Sequence, residues 1–241
     1  MEYYSRYYKS VTNGYPAKPR GLDVTYLHNI NFYCDPYTMW RRPKDNIMIG
    51  IMEGLQFIAG VFDKEQIQRV APHAKLELFT GQSAYGPRCG HQVEEIVELL
   101  RNDKDTRQAV LLLSHPEEPL DQRPCTTSLQ FQVNKFDTLT VTVNMRSSDA
   151  VWGLPYDIVQ FNFMAHMVAM CSGYILRSIH LNLANAHVYK STQLGAPTFT
   201  RQLFTLPESL TEISQWKGWA LIRIALMDYE MAKKEFVIRE A

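Results

Sequence analysis

The sequence predicts one α+β domain. Leu139, Val141, Val143 and Met145 alternate with Thr140, Thr142 and Asn144, the mark of a half-buried strand. After Asp157 the chain is apolar nearly all round (Ile158, Val159, Phe161, Phe163, Met164, Met167, Val168, Met170), the mark of a core helix. No repeat, linker or low-complexity stretch divides the 241 residues, and a chain this long can bury a substantial core of its own.

Residues 1–46 are rich in Tyr, Pro and Arg and show little helical period. Asp23–Tyr33 alternates as a strand, and Arg41 and Arg42 before Pro43 read as loop residues on the surface. From Asn46 a helical pattern begins (Ile47, Ile51, Leu55, Ile58) and Gly60 ends it. Glu53 interrupts that helix. It either marks the edge of the apolar face, the commoner case, or has a chemical role. Gly81–Gly90 is a glycine-rich loop matching no phosphate-cradling motif.

Val93, Ile96, Val97 and Leu100 form one helix face, followed by a charged turn at 102–107. Residues 108–114 and 127–133 read as strands, with a polar loop, 117–123, between them. Asp157 opens the core helix and suits its N-cap, and Gly173 stops it. His166 and Cys171 within it read as packed core groups. A short strand at 179–183 leads to Asn185–Tyr189, and a last helix is expected over 221–234.

Zero formal net charge argues against a general nucleic-acid binder. A nucleotide monomer remains open as a ligand, since one phosphate needs only a few arginines. No apolar run is long enough to span a membrane, and the N-terminus lacks the apolar core of a signal peptide. Four cysteines lie far apart with no CxxC pair. They read as free thiols in a reducing compartment, with no metal site and a cytoplasmic location expected.

Cys125 follows Pro124 and a loop containing Arg123. A lone cysteine is usually a small buried apolar group. Positive charge nearby would raise its thiolate fraction, and a thiolate can add to an electron-poor carbon. The run PCTTSLQF, then VNMRSSDAVWGLPYDI, then NAHVY resembles the thymidylate synthase family. That family carries Pro-Cys-His at its nucleophile, Gln-Arg-Ser-x-Asp, Gly-Leu-Pro-Phe-Asn, and a later His-x-Tyr. The order and spacing agree over about residues 20–190, and beyond about 195 no correspondence is visible.

The resemblance implies an α+β thymidylate synthase-like fold with a mixed sheet around a long buried helix, and a homodimer formed through the sheet. It implies 5,10-methylenetetrahydrofolate as cofactor and a pyrimidine nucleotide as substrate. Cys125 then matches the nucleophile that adds to C6. Glu53 matches the glutamate that organises water and proton transfer, and Tyr85 the tyrosine near the nucleophile. Arg146 and Ser147 match phosphate ligands, Arg107 an arginine reaching the phosphate of a second copy, and Arg20, more loosely, another phosphate arginine. Asp149 matches the folate-holding aspartate, and His187 and Tyr189 the pair at the sugar 3′-hydroxyl.

The departures bear on the substrate. Asp157 stands where synthases have asparagine. A carboxyl group accepts from the N4 amino group of cytosine and, when protonated, donates to N3, which favours dCMP. Its bland alternative is the helix N-cap. Thr126 replaces the histidine after the cysteine, and Asn144-Met145 precede Arg146; both resemble the deoxycytidylate hydroxymethylases of bacteriophages. Gln108 replaces the second arginine of an Arg-Arg pair. The tail 235–241 does not match the apolar tail that closes synthase sites, so water capture, giving 5-hydroxymethyl-dCMP, is expected over hydride transfer. Methyl transfer to dCMP, hydroxymethylation of CMP, and a synthase acting on dUMP are the alternatives. A non-catalytic nucleotide- or RNA-binding homologue is a further one, against which the intact Cys125, Glu53 and Arg146 weigh.

Overall fold

A mixed sheet carries the site. The computed structural model describes residues 2–42, 46–74, 80–81, 84–193, 199–236 and 239–240. The sheet contains β1 (Tyr15–Ala17), β2 (Val24–Cys34), β4 (Val110–Leu112), β5 (Thr126–Val133), β6 (Thr138–Met145), β7 (Ser148–Asp149) and β8 (Ile175–Tyr189). Their order is β1-β2-β8-β6-β5-β4, with β7 beside β8. β8 runs parallel to β6 and β7 and antiparallel to β2, and the other neighbours are antiparallel. A smaller sheet joins β3 (Thr38–Arg41), β9 (Thr200–Leu203) and β10 (Arg239–Glu240).

The alternation read in the sequence decides which face is inside. Leu139, Val141, Val143 and Met145 of β6 are buried, and the threonines between them are half-buried. Against that face lies α5 (Leu154–Ser172), buried on nearly every side and packed on α2 (Met48–Ala59), α4 (Gln92–Asn102), β3 and β8. Full burial of a side chain such as Phe161 contributes about 2–3 kcal/mol. Gly60 and Gly173 end α2 and α5 at φ 74° and 84°, the left-handed turn that glycine adopts without a Cβ penalty. His166 is satisfied in the core by Tyr37 Oη at 2.8 Å and Pro207 O at 3.1 Å.

Several boundaries differ from the sequence reading. Residues Glu2–Thr12 form a helix, α1, where no helical period was expected. Its buried residues, Tyr4, Tyr7, Tyr8 and Val11, do follow the helical spacing, and a reading that treats tyrosine as polar misses it. β8 runs fifteen residues and takes in the His187–Tyr189 segment, because ten register pairs with β2 hold it extended. β4 covers only three of the residues expected at that edge.

Arg41 ends β3, and Arg42 is buried, with its guanidinium 4.3 Å from the Trp152 ring centroid. It is therefore no solvated surface charge. The expected last helix is two, α6 (Ile213–Leu226) and α7 (Tyr229–Glu235). Met227 is extended and buried between them, and Asp228 accepts the Met231 amide at 2.9 Å to start the second. Pro43, Gln82, Ser83 and residues 237–238 and 241 of the tail lie outside the described residues. Among the described residues no helix is long and apolar enough to cross a membrane.

Candidate active site

Cys125 sits where a loop enters β5, and its side chain is exposed. The loop is braced from behind. Arg88 pairs with Glu118 at 2.6 Å and donates to Leu113 O at 2.8 Å. Arg123 donates to Glu118 O and Pro116 O at 3.1 and 2.7 Å. Arg123 is thus a loop clip, and the positive charge at the thiol comes from elsewhere. Arg146, at the end of β6, donates to Pro124 O and Arg123 O at 3.1 and 2.8 Å, and its amide holds Cys125 O at 2.9 Å.

The sequence led to the expectation of a thiol acidified by its neighbours. In the free chain the balance goes the other way. Although the residue is exposed, the protein packed around its sulfur strips away water and pushes the Cys125 pKa up, and Asp157 and Asp149 add to the rise. Arg146 and Arg20 oppose it and do not overcome it.

Asp157 is not the helix cap. α5 starts three residues earlier, at Leu154, with Pro155 in the first turn, where its fixed φ suits a helix start. The Asp157 carboxyl instead accepts the Tyr85 hydroxyl at 2.9 Å, and that hydroxyl lies 2.7 Å from Thr126 Oγ1. Burial pushes the Asp157 carboxyl up to about 7; Tyr85 pulls it down and Asp149 raises it further. One turn along α5, Gln160 Nε2 donates to Glu53 Oε2 at 3.2 Å. Burial, reinforced by Asp157, pushes Glu53 up to about 8. Glu53 is therefore no solvated edge residue of α2.

Tyr85 owes its position to the turn after it. A Cβ on Gly86 would lie 2.4 Å from Val61 O and 2.6 Å from Gln56 O at the end of α2. Gly86→Ala is expected to destabilise the fold by about 2–3 kcal/mol through overpacking. Urea unfolding should show a lower midpoint at an unchanged slope.

Asp149 Oδ1 accepts the amides of Val151 and Trp152 at 2.7 and 3.3 Å. Burial raises the Asp149 pKa, against those two amides, His187 and Arg42. His187 Nδ1 lies 3.3 Å from Ser147 Oγ, and its ring meets Tyr189 edge-on at 5.1 Å. Burial lowers the His187 pKa, Asp149 opposes this, and Arg20 lowers it further. Arg20 is exposed, at φ 51° in the turn before β2.

Cys125, Arg146, Ser147, Asp149, Asp157, Tyr85, Glu53, His187, Tyr189 and Arg20 are thus linked by bonds, ring contact or electrostatic reach. Arg107 is not brought to them. It is exposed, and its carbonyl accepts from Gln130, about 17 Å along β5 from Cys125 at strand rise.

The sequence reading overlooked Gln160 and the exposed Trp152, and took the buried Arg42 for a surface charge. A lone glutamine in an apolar helix was the available signal for the first. A cavity of about 490 Å³ lined by Arg88, His91, His115, Glu118 and Gln122 contains none of the site residues. Among the described residues no group of three or more His, Cys, Asp or Glu side chains is placed to hold a metal.

This chain is similar to known proteins in three ways. The thymidylate synthase family model matches residues 65–236, past the point at which the motifs fade. Thymidylate synthase of Bacillus atrophaeus is 31% identical over 100 residues, 41% of this chain and 44% of that relative. The chain thus spans less than half the length of that relative. The deoxyuridylate hydroxymethyltransferase of Delftia phage PhiW-14 is 27% identical over 194 residues, 69% of this chain and 54% of its own length. In fold the chain resembles thymidylate synthase from T4 phage, with a TM-score of 0.69 at 18% identity, covering 99% of this chain and 95% of that one. With the family model matched over most of this chain's length, this chain belongs to the thymidylate synthase family.

Proposed function

We propose that this chain transfers a one-carbon unit to C5 of dCMP and releases 5-hydroxymethyl-dCMP. The observation that carries the reading is the Asp157 carboxyl, half-buried, bonded to Tyr85 and pushed up to about 7. Near neutral pH a large fraction of it holds a proton. It then accepts from the cytosine N4 amino group with one oxygen and donates to N3 with the other. A site built on such a pattern rejects a base that leaves its buried groups unpaired.

The cleft fits a folate. Asp149 has one oxygen that takes neither backbone amide, and Trp152, three residues on, leaves half of its surface exposed. That pairing suits a flat ring bearing N–H donors. When bound, 5,10-methylenetetrahydrofolate supplies the one-carbon unit at the oxidation level of formaldehyde. Arg146, Ser147 and Arg20 hold the phosphate, by charge-assisted bonds where arginine donates, and His187 and Tyr189 hold the sugar. The Cys125 thiolate adds to C6, which makes C5 nucleophilic. Glu53, steadied by Gln160, holds the water that adds to the exocyclic methylene and moves its proton. That methylene would exist once C5 has bonded the one-carbon unit and lost its proton, with tetrahydrofolate as the leaving group; after the water has added, elimination of Cys125 from C6 restores the ring. In this reading the protein is a homodimer paired through the sheet, and Arg107 reaches the phosphate of the second copy.

A second reading keeps the site and changes the base to dUMP. The similarity to a protein named deoxyuridylate hydroxymethyltransferase favours it, and a neutral carboxyl turned over can pair with O4 and N3–H. A mass-resolved product assay separates the readings. With methylenetetrahydrofolate, dCMP is expected to gain a hydroxymethyl group and dUMP to stay unchanged. Methylated dCMP with dihydrofolate would keep the base assignment and overturn the water step. Turnover of dUMP alone would overturn the role of Asp157.

A further inference from the structure

Tyr7 of α1 is buried, with 8% of its surface exposed, and its hydroxyl has no hydrogen-bond partner among the described residues. Phenylalanine would fill the same space without a desolvated donor. Its ring is fixed edge-on to Tyr4 and Phe32, with centroids 5.3 and 5.2 Å away, so the hydroxyl cannot easily turn to water. One turn earlier on α1, Tyr4 Oη donates to Ala150 O at 3.0 Å. That bond lays this helix face against the segment that carries Asp149. The Asp149 charge is near enough to add to burial in raising the Tyr7 pKa. Both amide bonds to Asp149 use Oδ1 and leave Oδ2 to other donors.

We propose that Tyr7 is a positioning residue for the folate subsite: its hydroxyl donates, through one buried water, to Asp149 Oδ2 and fixes the carboxylate's orientation. A buried water needs two to four polar partners, and these two groups supply the minimum. The hydroxyl is shut off from the cleft, so it acts through Asp149 and not on the ligand. The inference rests on the folate reading above.

Calorimetric titration of tetrahydrofolate into the dCMP-saturated protein tests it without turnover. Tyr7→Phe is expected to raise the Kd for tetrahydrofolate about tenfold, as loss of a bond to a charged group does, and to leave the Kd for dCMP unchanged. In an Asp149→Asn background, Tyr7→Phe should add nothing further, which a general loosening of α1 would not reproduce. Equal folate affinity in Tyr7→Phe and the parent would overturn the proposal, as would the same tenfold loss on the Asp149→Asn background. A parent protein that binds dCMP but no tetrahydrofolate would overturn the folate reading itself, and this inference with it.

Discussion

Replacing Cys125 with serine is expected to lower kcat by about 10⁴-fold while dCMP still binds, the loss expected of a removed covalent nucleophile. Cys125 is an exposed residue, and among the described residues its thiol makes no bond that holds the fold. Arg146 grips the backbone of Arg123, Pro124 and Cys125, and not the sulfur, so the substitution leaves the loop in place. The cleanest readout needs no folate. Addition of a thiolate to C6 makes C5 enamine-like, so the C5 hydrogen of dCMP exchanges with solvent. In deuterated buffer the parent should exchange that hydrogen and Cys125→Ser should not. Because burial raises the thiol pKa, the exchange rate should climb with pH as the thiolate fraction grows. Exchange that survives in the serine variant would remove Cys125 from the chemistry.

Asp157→Asn is the second large effect. The amide accepts at one atom and donates at the other without titrating, so it pairs with O4 and N3–H of uracil. Turnover of dCMP is expected to fall about 10³-fold and dUMP to become a substrate, as for a site whose hydrogen-bond pattern is changed. The pH profile gives an independent check. In the parent, the climb of kcat/KM for dCMP with the thiolate fraction should level off as pH passes about 7, where the Asp157 carboxyl loses its proton. Asp157→Asn should remove that break. Glu53 should then titrate lower, because one of its neighbouring charges has gone. Unchanged base preference in this variant would return Asp157 to a structural role.

The same two carboxyls tie stability to pH. Both titrate higher in the folded chain, about 7 and 8, than their ordinary values of 3.8 and 4.5. The folded state therefore binds more protons than the unfolded one across that window. Stability from this source is full below about pH 4 and is lost as pH rises toward 8.

The sequence by itself determined the alternating face of β6, the buried α5 and the glycine stops at Gly60 and Gly173. Each is a local matter of side-chain period or backbone freedom within a few residues. It also gave the motif residues in order, since residue type and spacing along the chain are written in the sequence itself. The direction of the Cys125 shift was decided only in three dimensions. Charges that lie far apart in the chain, Asp149, Asp157, Arg146 and Arg20, act on the same sulfur, and burial together with the two aspartates outweighs the two arginines. The sequence allowed Asp157 to be either a cap or a base reader. The early start of α5 at Leu154 and the Tyr85 hydroxyl, 72 residues away in sequence, remove the first option. Tyr7 behind Asp149, Gln160 against Glu53 and the length of β8 belong to the same class. Each depends on packing between segments distant in sequence, and a local pattern carries no record of which segments meet.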